Sequence, residues 1–166
     1  MTSISLQNKI YHCLVRLAIF ILKIYWKIFK PITVGVRAIV LNPQNHVLLV
    51  KHRLDQRWYL PGGQVEKGET LTEAIQRELK EEANISFTPT TDLGIFGAYT
   101  SFNQSKNDHI IVFVIKNIIE HLQQNCLEVE DQGFFDINQL PKSLSPGTQR
   151  RLDEYRSKKN TLNANW

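Results

Sequence analysis

Residues 63–85 read GQVEKGETLTEAIQRELKEEANI, and the remainder of the chain is best interpreted outward from them. Within this stretch Glu78, Glu81 and Glu82 stand at i, i+3 and i+4, the spacing that brings side chains onto one face of a helix. Three carboxylates held this close repel one another, so such a face requires a counter-charge. A hard divalent cation, which prefers oxygen ligands, is the counter-charge we expect.

Local signals predict where this helix begins and ends. Residues 61–63, Pro-Gly-Gly, indicate a turn ahead of it. Thr70 is an N-cap residue type, and Glu73, three residues later, completes a capping-box pattern. Asn84 falls where a left-handed residue ends a helix. The sequence therefore predicts a helix over residues 70–83. Its core-facing stripe consists of Leu71, Ile75 and Leu79.

The same stretch resembles the Nudix box, the signature of the Nudix hydrolases. That signature is Gly, five residues, Glu, seven residues, Arg-Glu, an aliphatic residue, any residue, Glu-Glu, any residue, Gly and an aliphatic residue. The matching positions are Gly63, Glu69, Arg77, Glu78, Leu79, Glu81, Glu82 and Ile85. Asn84 stands in place of the second Gly. This position affects the backbone conformation at the helix end and does not supply a group to the chemistry. The resemblance covers roughly residues 31–156 and implies the α/β class, as a Nudix-type α/β/α sandwich with a mixed sheet.

The resemblance also implies a chemistry. Nudix proteins use Mg²⁺ or Mn²⁺ to hydrolyse a nucleoside diphosphate linked to another group, by attack of water on phosphorus. By matching positions, the implied metal ligands are Glu78, Glu81, Glu82 and the backbone carbonyl of Gly63 (or Gly62). The implied catalytic residues are Glu81 and Glu82, with Glu69 and Arg77 as the ion pair that ties the loop to the helix. The general base stays open between Glu81 and Glu82 in the box and Asp108, Glu128 and Glu130 later in the chain.

Residues that could contact a substrate lie on both sides of the box. Arginine grips phosphate in a bidentate manner, and the candidates before the box are Arg37, Arg53 and Arg57. The aromatic side chains that could stack on a base are Trp58, Tyr59, Phe96 and Tyr99, although such residues are more often core. His109 is a further open case. Which group is attached to the diphosphate stays open among ADP-ribose, nucleoside triphosphates, dinucleoside polyphosphates and nucleotide sugars.

Residues 1–30 form a region distinct from the predicted domain at 31–158. Residues 10–30 contain neither Pro nor Gly and predict an extra N-terminal amphipathic helix. Its basic residues fall within a narrow arc of a broadly apolar surface, a pattern that favours binding at an anionic membrane surface through residues 9–30. Packing on the domain or on a second subunit, as a homodimer, is the alternative. The longest apolar run, residues 17–22, is too short to span a bilayer.

The rest of the chain mixes strands with helices. Strands are predicted at residues 33–41, 47–51, 93–101 and 110–115. Residues 128–130 and 133–136 flank a further short strand region, and a helix is predicted at 145–158. The first two strands are expected to pair as a hairpin across the turn at residues 42–45. Residues 159–166 form a polar C-terminal tail.

Composition narrows the function classes. The chain has 166 residues and a net charge of +4, and its first eight basic residues all precede Asp55, the first acidic one. Cys13 and Cys126 lie far apart and indicate neither a disulfide framework nor a zinc site, so a cytoplasmic location, peripheral at the inner face of a membrane, is expected. No nucleic-acid partner is expected. The leading hypothesis is a Nudix pyrophosphohydrolase. The alternatives are a catalytically silent nucleotide-sensing or scaffold domain at a membrane, and a hydrolase of a lipid-linked diphosphate.

Overall fold

The structure is a computed structural model, and it describes residues 16–17, 20–21, 24–25, 31–87, 92–102, 107–118, 128–159 and 164–166. The regular elements after residue 31 are, in chain order, β1 (Ile32–Val40), β2 (His46–His52), β3 (Trp58–Tyr59), α1 (Leu71–Ala83), β4 (Leu93–Ser101), β5 (Asn107–Ile115), β6 (Val129–Asp136), α2 (Pro146–Arg156) and β7 (Ala164–Asn165). The strands form a mixed four-stranded sheet in the order β1-β5-β4-β7 and an antiparallel three-stranded sheet in the order β3-β2-β6.

Strand β1 is buried between two helix-bearing layers. Val36, Ala38 and Val40 enter one core cluster with the apolar residues of α1. Ile39, with the strand-end residue Leu41, enters a second cluster that includes Leu152 of α2. Because successive side chains of a strand point to opposite faces, both faces of β1 are covered. The predicted α/β/α sandwich with a mixed sheet is confirmed.

The predicted hairpin of β1 and β2 is wrong, because the two strands belong to different sheets. Among the described residues, the link between them is a single bridge that joins Leu41 to Val47. Strand β1 pairs in parallel with β5, and residues 61–65 of the box entry also bond to it, with the Val36 amide donating to the Gly63 carbonyl at 2.9 Å. Partners that are distant in sequence thus occupy the backbone groups that a hairpin would have used.

The remaining element predictions hold with shifted boundaries. The helix predicted at 145–158 is α2, which begins after an N-cap at Ser145. The short strand region predicted between residues 128 and 136 is β6, a continuous strand of eight residues. Strand β5 begins at Asn107, three residues before its predicted start. The last three residues of the segment predicted as a polar tail return to the domain, since β7 pairs in parallel with β4.

The segment before residue 31 is described at six positions, which are helical and exposed. Five of these are apolar or aromatic residues: Leu17, Phe20, Ile21, Ile24 and Tyr25. The lysines of the predicted basic stripe lie outside the described residues, as do both cysteines, so the N-terminal amphipathic helix stays a prediction. No helix in the described part of the chain is long and apolar enough to cross a membrane.

Candidate active site

Helix α1 carries the carboxylates, and both of its ends are fixed by local hydrogen bonds. The Glu73 amide donates to the Thr70 hydroxyl at 3.2 Å, and the Thr70 amide donates to the Glu73 carboxylate at 2.8 Å. Asn84 ends the helix with φ 51°, and its amide donates to carbonyls of the last turn. The capping box and the left-handed end are therefore both confirmed. They hold α1 with its carboxylate face toward residues 62–64.

Arg77 ties the helix to the preceding loop. Its guanidinium donates to both carboxylate oxygens of Glu69, at 2.9 and 3.0 Å, and to the Gln64 carbonyl at 3.0 Å. Hydrogen bonds from Arg77 lower the pKa of Glu69, which keeps this carboxylate ionised. A fourth hydrogen bond, at 2.8 Å, joins Arg77 to Glu78. The loop, the helix and one site carboxylate are thus held by a single cation.

Glu82 is a nearly buried carboxylate, with 7% of its surface exposed. The Gly62 amide donates to one of its oxygens at 2.8 Å, and the Nε2 atom of His52 lies 3.5 Å from the other. Burial raises the pKa of Glu82 to about 7, while Arg37 and the Gly62 amide oppose that rise. A carboxylate in this position needs positive charge to ionise fully.

Gly62 and Gly63 bring the backbone against the helix where a side chain would not fit. A Cβ atom on Gly62, whose φ is +131°, would lie 2.2 Å from the Val36 carbonyl oxygen. A Cβ atom on Gly63 would lie 2.2 Å from a carboxylate oxygen of Glu78. Gly62 is therefore required by its close approach to the backbone of β1, whereas the obstacle at Gly63 is the end of the Glu78 side chain. The main chain at Gly63 consequently sits directly beside the Glu78 carboxylate.

Arg37 supplies positive charge beneath this cluster. Its Nη1 atom is buried and has no hydrogen-bond partner among the described residues. Burial lowers the pKa of Arg37, and the nearby charges of Glu82 and Glu78 oppose that effect. A buried N–H donor without a partner costs free energy of about 1–3 kcal/mol. A ligand oxygen that accepts from Nη1 would recover that cost.

The donor set suits a hard divalent cation. Glu78, Glu81 and Glu82 all offer oxygen atoms, and the buried Glu82 carboxylate is stabilised in its charged form by any added cation. Across the described ranges, no three His, Cys, Asp or Glu side chains converge as a ready metal site. Arg77 contacts Glu78 and also lies 3.4 Å from Glu81, a residue whose side chain is 57% exposed.

A cavity of about 330 Å³ opens beside these residues. Arg37 and Gly63 line its inner end, next to the Glu78 carboxylate. Thr33, Asp108 and Trp166 line it farther along β1 and β5. The candidate active site thus combines a carboxylate cluster, a guanidinium with one buried and unpaired nitrogen, and an adjoining cavity.

The sequence of this domain matches a known protein family. A family model described as the NUDIX domain matches residues 31–155, which is most of the chain. The chain belongs to the Nudix family. Solved Nudix structures share its fold, among them a UDP-X diphosphatase (25% identity, TM-score 0.63, covering 80% of this chain and 67% of that chain). A MutT NUDIX hydrolase from Burkholderia pseudomallei is similar in fold (23% identity, TM-score 0.62, covering 74% and 97%).

Two curated Nudix relatives are similar over different lengths. An ADP-ribose pyrophosphatase from Methanocaldococcus jannaschii is 32% identical over 126 residues, which are 73% of this chain and 72% of that protein. The 8-oxo-dGDP phosphatase NUDT18 from Mus musculus is 44% identical over 69 residues, which are 40% of this chain. The chain spans only about a fifth of the length of the second relative (21%).

The residues predicted to contact the substrate lie in different parts of this Nudix domain. Arg37 borders both the carboxylates and the cavity. Arg53 and Arg57 are exposed in the loop after β2, and Arg57 forms an ion pair with Asp55 at 2.6 Å. Trp58 packs edge-on against Phe135, 4.8 Å between ring centroids, in the second core cluster. Of the other aromatic candidates, Phe96 and Tyr99 are buried in the same cluster.

The acidic residues after the box that are candidates for the general base also lie in different places. Asp108 lines the cavity and accepts a hydrogen bond from the Thr33 hydroxyl. Glu128 is exposed, and its charge helps to raise the pKa of Glu82. Glu130 forms an ion pair with Lys51 at 3.7 Å, away from the cavity. His109 packs its ring edge-on against Phe102.

Two residues at the site escaped the sequence analysis. His52 ends β2 and reaches Glu82, but nothing in an apolar strand marks its last residue as functional. Trp166 reaches the cavity from β7, a strand of two residues, which is too short to show any periodicity. Both contacts depend on pairings between distant segments, and the sequence carries no local signal for them.

Proposed function

We propose that this protein is a divalent-metal-dependent pyrophosphohydrolase that cleaves the diphosphate linkage of a nucleoside diphosphate derivative. The observation that carries the proposal is the buried Glu82 carboxylate, whose charge interacts with Glu78 and with Arg37. The Nη1 atom of Arg37 is buried and unpaired among the described residues, and Arg37 also lines the cavity. Its Nudix relatives, an ADP-ribose pyrophosphatase and an 8-oxo-dGDP phosphatase, support the same substrate class.

The metal-binding residues proposed are Glu78, Glu81, Glu82 and the Gly63 carbonyl, with Mg²⁺ or Mn²⁺ as the cation. When bound, such a cation neutralises diphosphate oxygens and favours deprotonation of an attacking water. The Gly63 carbonyl already accepts from the Val36 amide at 2.9 Å, and a carbonyl oxygen has a second lone pair for another contact. The close approach of Gly63 to Glu78 supports their joint role.

The remaining residues bind the substrate or position the site carboxylates. Arg37 donates to a phosphate oxygen through its unpaired Nη1 atom, which satisfies a buried donor. Arg53 and Arg57 lie on an exposed loop, where they can meet the distal part of a substrate. Glu69 and Arg77 position the helix, so their loss misplaces the carboxylates. Glu81, the exposed member of the trio, is the box carboxylate best placed to accept a proton from a water that enters from solvent.

Hydrolysis assays with purified protein test this proposal. With Mg²⁺ present, we expect release of products from ADP-ribose, dGDP or a UDP-sugar, and no release in EDTA. Glu82→Gln and Glu81→Gln should each lower kcat/KM by about a hundredfold or more, because each removes a charge that the metal site needs. Glu66→Gln, an exposed change in the same loop region, is the matched control. A wild-type protein inert toward the whole panel would favour the silent sensor, and unchanged rates in Glu82→Gln would refute the metal assignment.

We further propose a cytoplasmic protein that attaches at an anionic membrane surface through residues 9–30. The supporting observation is the exposure of Phe20, Ile21 and Ile24 on helical backbone next to the basic residue Arg16. In this setting a lipid-linked diphosphate becomes an alternative substrate.

Flotation with phosphatidylserine vesicles tests the attachment. The full chain should float, whereas Phe20→Asp with Ile24→Asp should stay at the bottom of the gradient. Ile95→Asp, an exposed change on β4, is the control and should float like the wild type. A wild type that never floats and elutes as a dimer would replace the membrane proposal with self-association through this segment.

A further inference from the structure

Trp166, which directly follows β7, lines one side of the cavity that Arg37 and Gly63 also line. Strand β7 pairs in parallel with β4, and the Trp166 amide donates to the Thr100 carbonyl at 2.8 Å. The Trp166 side chain lines the same cavity of about 330 Å³ that Arg37 lines. An indole ring therefore borders the space that leads away from the diphosphate end of the site.

Helix α2 holds Trp166 in place. Arg150 donates to the Trp166 carbonyl. The indole nitrogen lies so close to Gly147 that a Cβ atom there would be 2.3 Å away. Tyr99 packs edge-on against the indole, with 6.2 Å between ring centroids. Because these contacts restrain its backbone and its ring, Trp166 forms a fixed side of the cavity.

The lining of the cavity matches a nucleobase, which has apolar faces and a polar edge. Trp166, Val34 and Ile110 supply apolar surface, while Ser101 and Asp108 supply hydrogen-bonding groups. The Asp108 carboxylate accepts from the Thr33 hydroxyl. An ionised carboxylate has about four acceptor sites, so capacity remains for a ring N–H or an exocyclic amine.

We propose that Trp166 is a specificity-determining residue, against which the base of the nucleoside packs while the diphosphate lies at Arg37 and the box. The proposal rests on the function proposed above and adds the location of the base. The volume supports it, because about 330 Å³ is at the small end of ligand pockets, which span roughly 300–1,000 Å³. One nucleoside fills such a cavity, and the group beyond the diphosphate remains outside it.

A substrate pair that differs in the base tests this proposal. ADP-ribose carries a base, and phosphoribosyl diphosphate carries a diphosphate without one. Trp166→Leu should lower the ratio of kcat/KM for ADP-ribose to that for phosphoribosyl diphosphate by about tenfold, the loss expected when an aromatic ring that stacks on a base is removed. Trp166→Phe, which keeps an aromatic face, should restore most of the ratio. An unchanged ratio in a folded Trp166→Leu protein overturns the proposal.

Calorimetric titration with AMP gives a readout that does not depend on turnover. We expect an AMP Kd about tenfold weaker in Trp166→Leu than in the wild type and near the wild-type value in Trp166→Phe. If the wild type hydrolyses nothing, the proposed function fails, while this titration still decides whether Trp166 binds a base. Equal AMP affinity in all three proteins contradicts the role of Trp166.

A second variant covers the case in which Trp166→Leu does not fold, since its ring also packs on the second core cluster. Arg150→Met removes the contact to the Trp166 carbonyl without changing the ring. It should weaken AMP binding in the same direction, by a few-fold. Arg156→Met, on the same helix but remote from Trp166, should not. Identical AMP affinities in these two variants would overturn the proposal.

Discussion

Glu82 is a residue at which burial and charge oppose each other. The pKa of its carboxyl rises from 4.5 to about 7 in the folded protein. Between those values the folded state retains a proton that the unfolded chain has lost. This group therefore contributes stability that is complete below pH 4.5 and is lost as the pH rises to about 7.

The expected consequence is a pH-dependent difference between wild type and Glu82→Gln in the absence of metal. From pH 5 to pH 7.5, the free energy of unfolding of the variant should rise relative to the wild type by about 2 kcal/mol. Urea unfolding at both pH values measures this difference. Glu66→Gln should show no such gain. Parallel curves for wild type and Glu82→Gln would show that Glu82 ionises freely.

Gly63 offers a second test at the residue scale. The clash predicted for Gly63→Ala is with the end of the flexible Glu78 side chain, which can turn aside at little cost in stability. We therefore expect a melting temperature near that of the wild type, together with a kcat/KM lowered by about tenfold or more, since misplaced catalytic groups are costly. Thermal melts and hydrolysis rates on the same samples separate the two effects. A fully active Gly63→Ala protein would contradict the placement of Glu78.

At the scale of elements, α1 shows what local sequence signals can determine. Asn84 occupies the left-handed position where the family pattern has Gly, and its side chain accepts from Lys80 at 2.7 Å. Asn84→Gly should change the free energy of unfolding by only a few tenths of a kcal/mol, because Gly adopts this conformation freely. Asn84→Ala should cost about 1 kcal/mol. Both should keep wild-type kcat, as chemical denaturation and rate assays can verify.

Local sequence signals do not predict which strands pair with each other. Thr70, Glu73 and Asn84 each act within one turn of helix, so the limits of α1 could be predicted from the sequence. The hairpin of β1 and β2 could not be excluded, because its competitors are β5 and residues 61–65, both remote from the turn. Pairing between distant segments depends on the whole fold, and a short-range pattern does not encode it.

At the scale of the whole molecule, the site arises where independent segments meet. Residues 61–65 lie along β1, which places Gly63 beside Glu78 of α1. Strand β2 brings His52 to Glu82, and β7 brings Trp166 to the cavity. The box residues could be identified from their spacing alone. The cavity walls could not, since they are assembled by the sheet and by the return of the chain after α2.

We propose that these carboxylates bind a divalent cation, and calorimetric titration with Mg²⁺ at pH 7.5 tests this binding most directly. The wild type should bind Mg²⁺, and Glu78→Gln and Glu82→Gln should each weaken the affinity by about tenfold or more. Glu66→Gln should bind like the wild type. Equal Mg²⁺ affinity in all four proteins, or none in the wild type, would contradict the account.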